Sequence, residues 1–119
     1  MERVWVGFGA IFGLLMVAMA AYAAHAPGAG TPAVASAVQM QGFHALALLA
    51  TGLWARRGGR LTNLAGMFFV IGIVLFCGTI YQPLGPAWLR AAHIPLAAPV
   101  GGLSLMAGWA MLGLAALFR

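Results

Sequence analysis

Four long apolar stretches, residues 4–24, 34–55, 61–81 and 99–118, decide what this chain can fold into, because none of them contains a charged residue. At 1.5 Å per residue, a helix of such length spans about 30 Å, the thickness of a bilayer's hydrocarbon core. Lipid offers no hydrogen bonds, so a spanning segment must satisfy its own backbone, and runs this long read as helices. The expected fold is therefore an all-α integral membrane four-helix bundle, a single domain over residues 1–119.

The rest of the sequence agrees. The chain is 64% hydrophobic and 6% charged, with a mean hydropathy of +1.01, whereas a soluble domain carries about a quarter charged residues. Residues 25–33 hold Pro27, Gly28, Gly30 and Pro32 and form a helix-breaking loop. Gly58 and Gly59 leave room only for a tight antiparallel turn. Residues 82–98 contain Pro83, Pro86 and Pro95 with Trp88, Arg90 and His93 among them, as in an interfacial segment with an aromatic anchor. The run after Glu2 and Arg3 also resembles a secretory leader ending at Ala21-Tyr22-Ala23-Ala24, but it exceeds the 7–15 apolar residues usual there and is read as the first span.

Arginine placement gives an orientation. Arg56, Arg57 and Arg60 flank the second turn, and an even number of crossings puts Arg3 and Arg119 on the same side, leaving Arg90 alone opposite. The positive-inside bias then places both termini in the cytoplasm. A net charge of +5 does not point to nucleic acid, because the arginines cap apolar runs and form no basic face. The bilayer and its anionic headgroups are the expected partners.

Helices in lipid associate through close packing and interhelical hydrogen bonds. Gly9 and Gly13 form a GxxxG pair in the first span, and Gly101, Ser104 and Gly108 form a small-residue stripe in the fourth. Internal packing is the expected use of both. Polar residues gather on the second span, where Gln41, His44 and Thr51 share a helical face. An ionisable residue at that depth is by default a candidate functional site. The readings are a proton relay, a haem or metal ligand, a contact to a quinone-like headgroup, or a neutral histidine that ties two helices together; the last is favoured. His25, Tyr81 and His93 are expected toward the outer side. Three histidines could in principle bind a metal, but their spacing matches no metal motif and no carboxylate lies near. Tyr81, Trp88 and Trp54 read as interface residues. Trp109 reads as a core residue whose indole N–H needs an acceptor, and Cys77 as a small buried residue.

No catalytic residue is assigned. Glu2 is the single carboxylic side chain, and no nucleophile–base arrangement or phosphate-cradling loop occurs.

Three ordered blocks, Gln41-Gly42-Phe43-His44-Ala45-Leu46, Gly72 through Tyr81, and Pro99-Val100-Gly101-Gly102 followed by Ala107-Gly108-Trp109, resemble the domain-of-unknown-function 423 family. Its bacterial members are small inner-membrane proteins, and it has mitochondrial relatives. The family's Gly-Ala-Phe-Gly-Ala-His block corresponds to Ala20-Ala21-Tyr22-Ala23-Ala24-His25, which keeps the histidine and lacks both glycines. Its Tyr-Gln pair stands as Met40-Gln41, and its Ser-Gly-Ser-Leu-Tyr as Cys77-Gly78-Thr79-Ile80-Tyr81. The resemblance implies a four-helix architecture in the bacterial inner membrane and no particular activity. The leading expectation is a non-enzymatic accessory or assembly subunit with a membrane-protein partner or a second copy of itself, and no cofactor. The alternatives are a small transporter, channel or proton-conducting bundle centred on His44, and a haem- or quinone-binding electron-transfer subunit.

Overall fold

A computed structural model describes residues 1–91 and 96–118. Helix α1 is Glu2–His25. The next helical segment, Pro32–Tyr81, is broken inside by Gly59, at φ 59° and ψ −137°, into α2 (Pro32–Arg57) and α3 (Gly59–Leu84). That backbone conformation favours glycine, so Gly59 permits the reversal. The last turn of α3, Gln82–Leu84, is a 3-10 helix. A short helix α4, Ala87–Ala91, follows, and α5 is Ala97–Leu117. Of these, α1, α2, α3 and α5 are long and apolar enough to cross a membrane.

The helix starts have local causes. Thr31 caps α2 by accepting the Val34 N–H at 3.2 Å, and Pro32 occupies the first turn, where its missing N–H costs nothing. Pro99 likewise falls in the first turn of α5, where its missing N–H costs nothing. The molecule measures 48 Å along its longest axis, more than the roughly 30 Å of a bilayer's hydrocarbon core.

The α2–α3 hairpin forms the middle of the bundle. Helices α1 and α5 each pack against the hairpin, and among the described residues they make no Cα–Cα approach within 8 Å of one another. The core between the layers holds Leu48, Phe69, Ile73, Leu105 and Trp5. Small residues set the closeness of approach. A Cβ on Gly101 would fall 2.5 Å from the Phe76 nitrogen, and one on Gly108 would fall 2.7 Å from the Phe69 ring. Between them Ser104 donates to the Phe68 carbonyl at 2.8 Å, so the whole stripe of α5 seats on α3. In α1 the pair divides. A Cβ on Gly9 would meet the Ala45 carbonyl at 2.9 Å, while one on Gly13 would meet nothing within 4 Å.

The N-terminus, the α2–α3 turn and the end of α5 lie at one end of the bundle. Glu2 pairs with Arg56 there, and Leu112 and Ala116 share a crevice with Ala50 and Trp54.

Candidate functional site

His44, on α2, is 5% exposed and makes two hydrogen bonds of fixed direction. The Trp109 indole Nε1–H, on α5, donates to His44 Nε2 at 2.9 Å. An indole nitrogen can only donate, so Nε2 carries no proton. The proton therefore sits on Nδ1 and is donated to the Met40 carbonyl, 2.6 Å away. The imidazole is neutral, in its Nδ1–H tautomer, with both ring nitrogens engaged. Its ring lies 5.8 Å from those of Phe69 and Trp109, and Phe69 meets Trp109 edge-on at 5.3 Å. One side chain from each of α2, α3 and α5 closes this aromatic joint.

Gln41 is 3% exposed and points elsewhere. Its Nε2 donates to the Phe12 carbonyl of α1 at 2.8 Å, and its Oε1 accepts from the Tyr81 hydroxyl of α3 at 2.8 Å. It therefore ties α1, α2 and α3 together. Beside it the Cys77 thiol reaches the Ala37 carbonyl at 3.4 Å. Thr51 joins neither group, because its hydroxyl donates to the Ala47 carbonyl of its own helix at 2.7 Å.

At the end of the bundle opposite the α2–α3 turn, His25 is exposed in the last turn of α1, and Trp88 on α4 is 75% exposed. His93 lies outside the described residues. Tyr81 directs its hydroxyl into the bundle, so a simple interface role does not describe it. Among the described residues, no group of three or more His, Cys, Asp or Glu side chains could hold a metal ion.

The arginine-bearing end has its own joints. Arg56 donates to both carboxylate oxygens of Glu2, at 2.8 and 3.0 Å. Trp5 Nε1 donates to Asn63 Oδ1 at 2.9 Å, joining α1 to α3. The Arg57 guanidinium stands 5.5 Å from the centroid of the Trp54 ring. Sequence reasoning misses the Trp5–Asn63 pair, although Asn63 carries the same signal as Gln41, an amide inside an apolar run.

Comparison with known proteins sets this geometry in a family. The family model described as a protein of unknown function, DUF423, matches residues 19–102. The chain is 34% identical over 120 residues to the UPF0382 inner membrane protein YgdD of Escherichia coli K12, covering 93% of this chain and 87% of that protein. It is 31% identical to a UPF0382 membrane protein of Haemophilus influenzae, covering 92% and 90% of the two chains. The chain belongs to the DUF423 family. A Staphylococcus haemolyticus member is 33% identical over a shorter stretch of 76 residues. No solved structure matches the chain. The family match takes in Gln41, His44, Cys77 and Tyr81 but stops short of Trp109, the donor to His44.

Proposed function

We infer that this DUF423 protein is a non-enzymatic accessory or assembly subunit that packs against a larger membrane complex. We place it as a multi-pass protein of the bacterial inner membrane with both termini in the cytoplasm. The observation that carries this reading is that the chain's own helices engage the polar groups of His44 and Gln41. Both nitrogens of His44 are engaged, and Gln41 both donates and accepts. Groups used this way act as joints between helices. What the molecule presents outward in the bilayer is apolar helix surface, such as Leu14, Val17, Leu46 and Leu103.

The alternatives ask more of the same residues. A proton-conducting path through His44 needs a lone pair able to take up a proton, and the Nε2 lone pair is held by Trp109. A haem iron needs that lone pair too. The arginine excess at one end supports the orientation, and the printed names of the Escherichia coli relatives support the location.

Purification from native membranes in mild detergent tests the assignment. A defined complex containing the chain in fixed proportion to another membrane protein is the expected result. A lone monomer at every concentration overturns it. In proteoliposomes, His44→Ala and the unaltered protein are expected to give the same proton flux; a flux abolished by the substitution would favour the transport reading instead.

A further inference from the structure

We propose that the arginine-bearing end of the bundle holds an anionic phospholipid, its phosphate on Arg57 and part of an acyl chain in the crevice between α2 and α5.

Charge accounting comes first. The sequence has six arginines and a single acidic side chain, Glu2. Both Glu2 oxygens are engaged by Arg56. The exposed guanidinium of Arg57 therefore has no carboxylate side chain left in the chain to pair with. At a membrane surface its available counter-ion is a lipid phosphate, which a guanidinium binds in two-pronged fashion.

Geometry separates Arg57 from its neighbours Arg3 and Arg60. Its guanidinium is held over the Trp54 ring, 5.5 Å from the centroid, a contact that orients the charge while leaving N–H donors at the edge of the plane free. Below Trp54 lies a crevice of about 230 Å³ lined by Ala50, Trp54, Leu112 and Ala116. Ala50, Trp54 and Arg57 follow at i, i+4 and i+7 on α2, so Arg57 stands on the same face of the helix as the crevice, beside the Trp54 ring that forms one of its walls. From Ala50 to Arg57 the rise is about 10 Å, giving an apolar slot with a cation at its mouth. A phospholipid carries the complementary pair of features, an acyl chain and a phosphate next to it. This site is independent of the accessory-subunit reading.

The test is native mass spectrometry of the intact protein in mild detergent, with dioleoyl phosphatidylglycerol, dioleoyl phosphatidylcholine or glycerol 3-phosphate added. Phosphatidylglycerol is expected to stay bound in preference to the other two. Arg57→Gln is expected to weaken its retention about fivefold, the effect of roughly one basic residue at a lipid surface. Arg60→Gln removes the same charge from outside the slot and is expected to have little effect. Ala116→Phe fills the crevice with all charges retained and should also weaken binding; Ala50→Leu serves the same purpose if that variant does not fold. Equal losses for Arg57→Gln and Arg60→Gln would reduce the effect to general surface charge and overturn the site. Retention of phosphatidylcholine or of glycerol 3-phosphate equal to that of phosphatidylglycerol would overturn it as well, as would an unaltered response in both crevice variants.

Discussion

The neutral tautomer of His44 and the joint between α2 and α5 both depend on the hydrogen bond from Trp109 to His44. Replacing Trp109 by Phe keeps an aromatic ring near Phe69 but removes the N–H, leaving His44 Nε2 without its donor in a side chain that is 5% exposed. A hydrogen bond of this kind contributes about 1 kcal/mol net, and stranding a buried acceptor costs about 1–3 kcal/mol. In lipid, interhelical polar pairs average about 0.6 kcal/mol and reach about 1.7. The Trp109→Phe variant is therefore expected to be destabilised by about 1–2 kcal/mol, part of which is lost ring area and not the bond.

A double-mutant cycle with His44→Leu separates the two contributions, since the smaller ring costs about the same whether or not the imidazole is present. His44→Leu strands no carbonyl, because Met40 O retains its backbone partner one turn on. The assay is reversible unfolding in mixed micelles against SDS mole fraction, read for the four proteins. A coupling energy between about 0.6 and 1.7 kcal/mol is expected. Strict additivity, within about 0.3–0.5 kcal/mol, would refute the bond as a stabilising joint. Nitrogen-15 NMR of the imidazole supplies an independent check, with the proton expected on Nδ1; a proton found on Nε2 would refute the assignment outright.

Other positions give contrasting expectations. Gly101→Ala drives a Cβ against the Phe76 backbone and should cost about 1–3 kcal/mol in the same assay, whereas Gly113→Ala, with nothing within 4 Å, should be neutral or stabilise by up to about 1 kcal/mol through helix propensity. Gln41→Leu severs α1 and α3 from α2 together and strands the Tyr81 hydroxyl; a loss of about 1–3 kcal/mol is expected, and Tyr81→Phe should lose less. A C-terminal green fluorescent protein fusion should fluoresce and a C-terminal alkaline phosphatase fusion should be inactive in Escherichia coli, as both termini inside require; the reverse pattern would refute the orientation.

The membrane architecture was legible because it rests on run length, which needs no knowledge of contacts. The polar site was legible only in part. Gln41 and His44 stand three residues apart, which on a helix separates their directions by about 60°, enough to aim one at α1 and α3 and the other at α3 and α5. Their partners Phe12, Tyr81 and Trp109 come from other helices, 29, 40 and 65 residues away, and no local pattern encodes such meetings. Gly9 and Gly13 are alike in sequence, but only Gly9 is pressed against the Ala45 carbonyl. Thr51 lies on the expected face, yet the Ala47 carbonyl one turn back is its nearest acceptor.

The distribution of these bonds has a physical logic. Among the described residues α1 and α5 make no Cα–Cα approach within 8 Å, so each is held mainly by the central hairpin, and its apolar faces are no more content against that hairpin than against lipid tails. Shape alone resists a slip along the axis only weakly wherever the contacting residues are small. A directional bond resists it strongly, and two at different depths fix both register and tilt. Helix α1 has the Phe12 carbonyl on Gln41 and the Trp5 indole on Asn63, seven residues or about 10 Å apart. Helix α5 has Ser104 on the Phe68 carbonyl and Trp109 on His44, five residues or about 7 Å apart. A slip of one turn, about 5.4 Å, breaks both bonds of either helix at once. His44 belongs to this set by position as well as by chemistry: it is the hairpin's half of the second bond that holds α5, with its Nε2 lone pair facing the Trp109 donor.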